Sequence, residues 1–77
     1  MSITADKLLD ATGLACPMPI VKTKKEIENM TSGQIIEIHA TDKGAKNDFA
    51  AWVKASGHKI LADEDDNGLL KFWIEKA

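Results

Sequence analysis

The sequence predicts a two-layer α/β (α+β) sandwich, in which two helices cover one face of a mixed four-stranded sheet in the order β-α-β-α-β-β. Three observations carry this. Ile36, Ile38 and Ala40 alternate with Ile35, Glu37 and His39, the period of a half-buried strand. Two segments instead repeat at helical spacing: Ile20, Thr23, Ile27 and Met30, then Ala45, Phe49, Trp52, Val53 and Ser56. Between two β-like runs stands Asn67-Gly68, the pair that suits a type I′ hairpin turn because both of its central positions need positive φ.

In chain order, residues 1–6 are a short lead and residues 7–11 a brief strand, broken by Thr12-Gly13. The first helix is expected over about residues 17–30, with Gly33 as its left-handed C-terminal residue. Residues 34–41 form the second strand. Asp42-Lys43-Gly44 turns into a second helix over about 45–56, closed by Gly57. His58 opens a third strand that runs to about residue 63, and residues 69–76 form the fourth, with Leu70, Phe72 and Ile74 inward and Lys71, Trp73 and Glu75 outside. The helix between the first two strands implies a right-handed parallel crossover, while the hairpin makes the last two strands antiparallel. The open sheet face carries Ile35, His39 and Trp73, either as a partner surface or as scattered single apolar groups.

Seventy-seven residues allow one domain, 1–77, with one modest core, and an apolar fraction of 44% argues against disorder. A net charge of −2 gives no bulk attraction to nucleic acid or to an anionic membrane, so no direct nucleic-acid or membrane partner is expected. Residues 1–6 lack the basic and apolar regions of a signal peptide. The one cysteine excludes an internal disulfide and fits a reducing cytoplasm.

That cysteine lies in Gly13-Leu14-Ala15-Cys16-Pro17-Met18-Pro19. Proline is tolerated in the first turn of a helix, where the missing amide has no intrahelical acceptor. Pro17 and Pro19 therefore act as a stiff scaffold at a helix start, with Cys16 at or next to the N-cap. There, unpaired amides and the helix dipole favour a thiolate, the nucleophilic form. The competing reading is a small buried hydrophobe, the commonest role of a lone cysteine. Lys22, Lys24 and Lys25 follow the motif. They are either a solvated face or a patch that raises the potential near the sulfur and docks an acidic partner.

Cys16-Pro17-Met18-Pro19 after a short strand resembles the C-P-x-P signature of the TusA/SirA-like family of small sulfur-carrier proteins. The likeness continues through Thr41 to Trp52 and through Gly57-His58 and the two strands after it, so it covers about residues 8–76. It implies that Cys16 accepts a sulfane sulfur from a cysteine-desulfurase-like donor, holds it as a persulfide and passes it to an acceptor protein, in tRNA thiolation or cofactor synthesis. It implies no cofactor. Met18 stands where the best-known carriers have Glu, which bears on partner choice and not on the nucleophile. The alternatives are a thiol-based regulatory module without sulfur transfer and a binding domain in which Cys16 is inert.

Two other patterns fail as sites. Asp63, Asp65, Asn67 and Gly68 imitate the start of a calcium loop, but its twelfth position is Ile74 in a strand, where a bidentate Glu is required. His39, His58 and Cys16 lack the close spacing of zinc ligands, so no metal is expected.

Overall fold

The structure, a computed structural model, describes residues 4–15 and 18–77. Cys16 and Pro17 lie outside the described residues. The element order is β1 (Lys7–Ala11), α1 (Met18–Glu28), β2 (Ile35–Ala40), α2 (Ala45–Ser56), β3 (Lys59–Asp66) and β4 (Leu69–Glu75), as the sequence predicts. The strands form one sheet in the order β1-β2-β4-β3. β1 and β2 are parallel, and the other two pairings are antiparallel.

The core grows from the β2–β4 pair. Ile36 lies opposite Ile74, Ile38 opposite Phe72 and Ala40 opposite Leu70. All six side chains are buried on one face. The helices cover that face with Pro19, Thr23 and Ile27 of α1 and with Ala45, Phe49 and Val53 of α2. The Phe49 ring stacks on Phe72 with centroids 4.8 Å apart and meets Trp52 edge-on at 6.2 Å. Aromatic contacts of this kind add to the gain from area burial alone. Thr23, the one buried polar side chain among the described residues, donates its hydroxyl to the Pro19 carbonyl at 2.8 Å.

Three boundaries differ from the sequence expectation, each for a local reason. α1 ends at Glu28, with Asn29 and Met30 continuing in tighter three-residue bonds to the Glu26 and Ile27 carbonyls at 3.1 and 3.0 Å. Gly33 therefore does not cap the helix. Its φ of 90° serves a separate turn, closed by the Gln34 N–H on the Thr31 carbonyl at 3.1 Å. That turn is held to the C-terminal strand by the Gly33 N–H on the Lys76 carbonyl, 2.9 Å. β3 runs on to Asp66 because the acidic residues pair with β4, Asp65 opposite Leu70 and Asp66 opposite Leu69. The hairpin tip has the expected geometry, with φ of 51° at Asn67 and 92° at Gly68. Gly57 closes α2 at φ 83°, its N–H on the Val53 carbonyl at 3.0 Å.

Phe49 is the side chain that joins both layers. Phe49→Ala is expected to cost about 3–5 kcal/mol, from lost burial plus the cavity left behind. Urea unfolding followed by tryptophan fluorescence measures this, and a loss under about 1 kcal/mol would show that the core does not centre on this ring.

Candidate functional site: the loop between the first strand and the first helix

The chain leaves β1 through a turn built from its own side chains. Asp10 Oδ1 accepts both the Thr12 N–H at 3.0 Å and the Thr12 hydroxyl at 2.6 Å, an Asx-type turn. The Thr12 hydroxyl, followed by the Thr12 amide, holds the Asp10 carboxyl below the usual carboxylate range, with smaller help from the charges of His39 and Lys22. The Leu14 N–H closes on the Ala11 carbonyl at 3.3 Å. Gly13, at φ 79°, donates its N–H to Thr41 Oγ1 at 2.8 Å, so the loop is pinned to the chain just after β2. Leu14 packs against the core. The Met18 N–H, on the Ala15 carbonyl at 3.0 Å, takes the chain into α1. Cys16 and Pro17 fall inside this segment and outside the described residues, so their expected roles stand as proposals.

α1 divides the remaining candidates. Pro19 points inward and is fully buried, in the stripe that continues through Thr23 and Ile27. The sequence marks it as motif scaffold, and burial adds a place in the core. Ile20, read from the spacing as part of the buried stripe, is only partly buried. Lys22, Lys24 and Lys25 are all exposed, but they do not form one patch. At about 100° per residue, Lys25 falls opposite the buried stripe with Met18 and Val21 on either side of it, while Lys22 and Lys24 flank the stripe on opposite sides. Lys24 is turned toward α2, where it lines a groove of about 130 Å³ with Glu28, Trp52 and His58. α1 has no acidic residue in its first turn. Glu26 is engaged by Lys7 of β1 at 2.6 Å, an exposed pair worth at most about 1 kcal/mol.

His39 lies opposite Asp10 in the β1–β2 pairing, whereas His58 belongs to the other end of the fold, at the close of α2. His58 sits against Trp52 with ring centroids 5.4 Å apart and accepts the Ala77 N–H on Nδ1 at 3.0 Å. Partial burial, then the Lys76 charge, lowers its pKa from the ordinary 6.5. His39 pairs with Glu37 on the open sheet face, and the other oxygen of Glu37 accepts the Trp73 indole N–H at 3.0 Å. Ile35, His39 and Trp73 are half-buried on that face. Among the described residues no three His, Cys, Asp or Glu side chains are grouped to hold a metal. Among the described residues no helix is long and apolar enough to cross a membrane.

Sequence reading missed three contributions. Thr41 anchors the loop through a contact 28 residues away, which no local pattern signals. Met18 and Val21 are exposed at 47% and 38%. Their phase opposite the buried stripe was available from the helical spacing.

A helix pair on a mixed four-stranded sheet is also the fold of a SirA-like protein from Desulfitobacterium hafniense. That crystal structure superposes with a TM-score of 0.80 over 90% of this chain and 95% of its own, at 20% identity, which establishes the common fold. Residues 7–76 match the family Sulfurtransferase TusA, and the chain belongs to that family. YrkI of Bacillus subtilis (strain 168) is 62% identical over 73 residues, covering 95% of this chain and 97% of that protein. The sulfur carrier protein TusA of Allochromatium vinosum is 40% identical over 72 residues, covering 94% and 95%.

Two predictions follow from the site's packing. Pro19→Ala removes two buried methylenes at about 0.8 kcal/mol each and loosens the unfolded chain by about 0.4–1 kcal/mol, so denaturant unfolding is expected to show a loss of about 2 kcal/mol. An unchanged midpoint would return Pro19 to a purely local role. His58 binds its proton less readily folded than unfolded. Its contribution is therefore complete above the unfolded pKa of 6.5 and is lost as pH falls through the lower folded value. His58→Asn should flatten the fall in stability below pH 6.5. An identical pH dependence in the variant would show that other groups set it.

Proposed function

We propose that this chain is a sulfur carrier whose Cys16 receives a sulfane sulfur from a donor of the cysteine-desulfurase type, holds it as a persulfide and delivers it to an acceptor protein in the reducing cytoplasm. The observation that carries this reading is the family match over residues 7–76, which includes the only cysteine in the chain. Relatives of comparable length bear the name sulfur carrier protein. Tethering of Gly13 and packing of Leu14 support a fixed approach for the motif, with Pro17 and Pro19 as its scaffold.

In the transfer, the Cys16 thiolate attacks the outer sulfur of the donor's persulfide. A new S–S bond forms on Cys16, the donor's S–S bond breaks, and the donor cysteine leaves as its thiolate. The outer sulfur keeps its oxidation level through the exchange, so no external oxidant or reductant is needed. Delivery repeats the step with an acceptor nucleophile. A start of α1 without carboxylates, and with lysines one to two turns on, favours the anionic sulfur at each stage. The same lysines, Lys22, Lys24 and Lys25, speed encounter with acidic partners. Such a carrier would serve routes such as tRNA thiolation or cofactor synthesis.

Incubation with a cysteine desulfurase and cysteine, followed by intact mass, tests this. The expected result is a gain of one sulfur that reductant removes and that Cys16→Ser abolishes. A chain that remains at its starting mass, or a Cys16→Ser chain that still loads, would contradict the carrier role.

A further inference from the structure

Three successive backbone amides ahead of Cys16 are each committed to a different acceptor. The Thr12 N–H goes to Asp10 Oδ1 at 3.0 Å, the Gly13 N–H to Thr41 Oγ1 at 2.8 Å and the Leu14 N–H to the Ala11 carbonyl at 3.3 Å. Two of these acceptors are side chains, and Asp10 Oδ1 also takes the Thr12 hydroxyl at 2.6 Å. Thr12, Gly13 and Thr41 are exposed, so water could satisfy the same groups with little loss of stability. A Cβ on Gly13 would meet nothing within 4 Å, so the glycine is there for its φ of 79° and not for room. Folding alone does not call for a surface loop fixed at so many points. Over-determined backbone of this kind marks sites where position matters.

Thr41 is itself a fixed point. Ala40 before it is fully buried opposite Leu70, and Ala45 after it is fully buried at the start of α2. The Ala45 N–H closes the short connection on the Asp42 carbonyl at 3.1 Å. Gly13 is thus tied to a hydroxyl held between two packed elements, three residues ahead of Cys16.

We propose that Thr41 is a positioning residue for Cys16: through the Gly13 amide, its hydroxyl oxygen keeps the motif loop in the one register against the start of α1 from which sulfur is transferred. For the transfer step the proposal rests on the carrier reading. Two physical effects make register matter. The amides and dipole at a helix start act within about one turn, so a loop that drifts from α1 loses their hold on the thiolate. Exchange between sulfurs also needs an aligned approach, and a displacement of about 1 Å can slow a reaction about a hundredfold.

The test compares Thr41→Val, which keeps the shape without the acceptor, with Thr41→Ser, which keeps the acceptor. Ser56→Ala is the control: it removes a bond of the same kind, the Ser56 hydroxyl on the Trp52 carbonyl at 2.8 Å, at the close of α2. Each chain is measured for iodoacetamide alkylation against pH and for the rate of sulfur loading from a purified cysteine desulfurase with cysteine. Thr41→Val is expected to move the alkylation midpoint up toward the value of about 8.5 for free cysteine and to slow loading about tenfold. Thr41→Ser and Ser56→Ala are expected to match the wild-type chain in both. A wild-type midpoint and loading rate in Thr41→Val would overturn the proposal, as would a Thr41→Ser chain that behaves like Thr41→Val. The same shift in Ser56→Ala would mean general loosening and would also overturn it. If the wild-type chain takes up no sulfur, the carrier reading falls, while a midpoint that rises in Thr41→Val and returns in Thr41→Ser still supports the positioning. A further measurement needs no variant. The Gly13 amide of the wild-type chain should exchange with deuterated water at least about tenfold more slowly than an unbonded amide, and free exchange there would overturn the proposal.

Discussion

One face of the β2–β4 pair has to be covered, and the rest of the molecule follows from that. Ile36, Ile38 and Ala40 lie opposite Ile74, Phe72 and Leu70, and six apolar side chains on one surface are costly to leave in water. Two helices supply the cover. Because Pro19, Thr23 and Ile27 are the residues that turn inward, Met18, Val21 and Lys25 must turn outward. The face available to a partner is thus the complement of the face used for folding.

The same constraint fixes the loop. Parallel pairing of β1 with β2 brings their C-terminal ends to one side of the sheet, with Ala11 beside Ala40. That adjacency lets Thr41 take the Gly13 amide and lets Leu14 pack on the core. The segment on either side of Cys16 is anchored by backbone geometry, buried contact and one long-range hydrogen bond. Such anchoring suits a loop that must hold a repeatable position.

Much of this was legible in the sequence because it is periodic or local. The alternation in β2, the helical stripe of α2 and the Asn67-Gly68 turn each correspond to one repeating physical requirement, and all three elements stand where those patterns place them. What escaped depended on distant pairing. The third strand is expected to end near residue 63, yet β4 keeps residues 63–66 extended, with Glu64 opposite Lys71. Gly33 reads as a helix cap but serves a turn that is tied to Lys76. Pro19 reads as a motif residue, and only the packed structure shows that it is also core. Lys22, Lys24 and Lys25 read as one group, which the helical phase spreads over three sides of α1, with Lys24 in the groove.

The central claim is that this setting makes Cys16 a thiolate nucleophile. The direct measurement is the rate of Cys16 alkylation by iodoacetamide as a function of pH, with a free-thiol peptide as reference. The account predicts a midpoint clearly below the value of about 8.5 for free cysteine and alkylation faster than the peptide's at neutral pH. A midpoint at or above that of the peptide would contradict it.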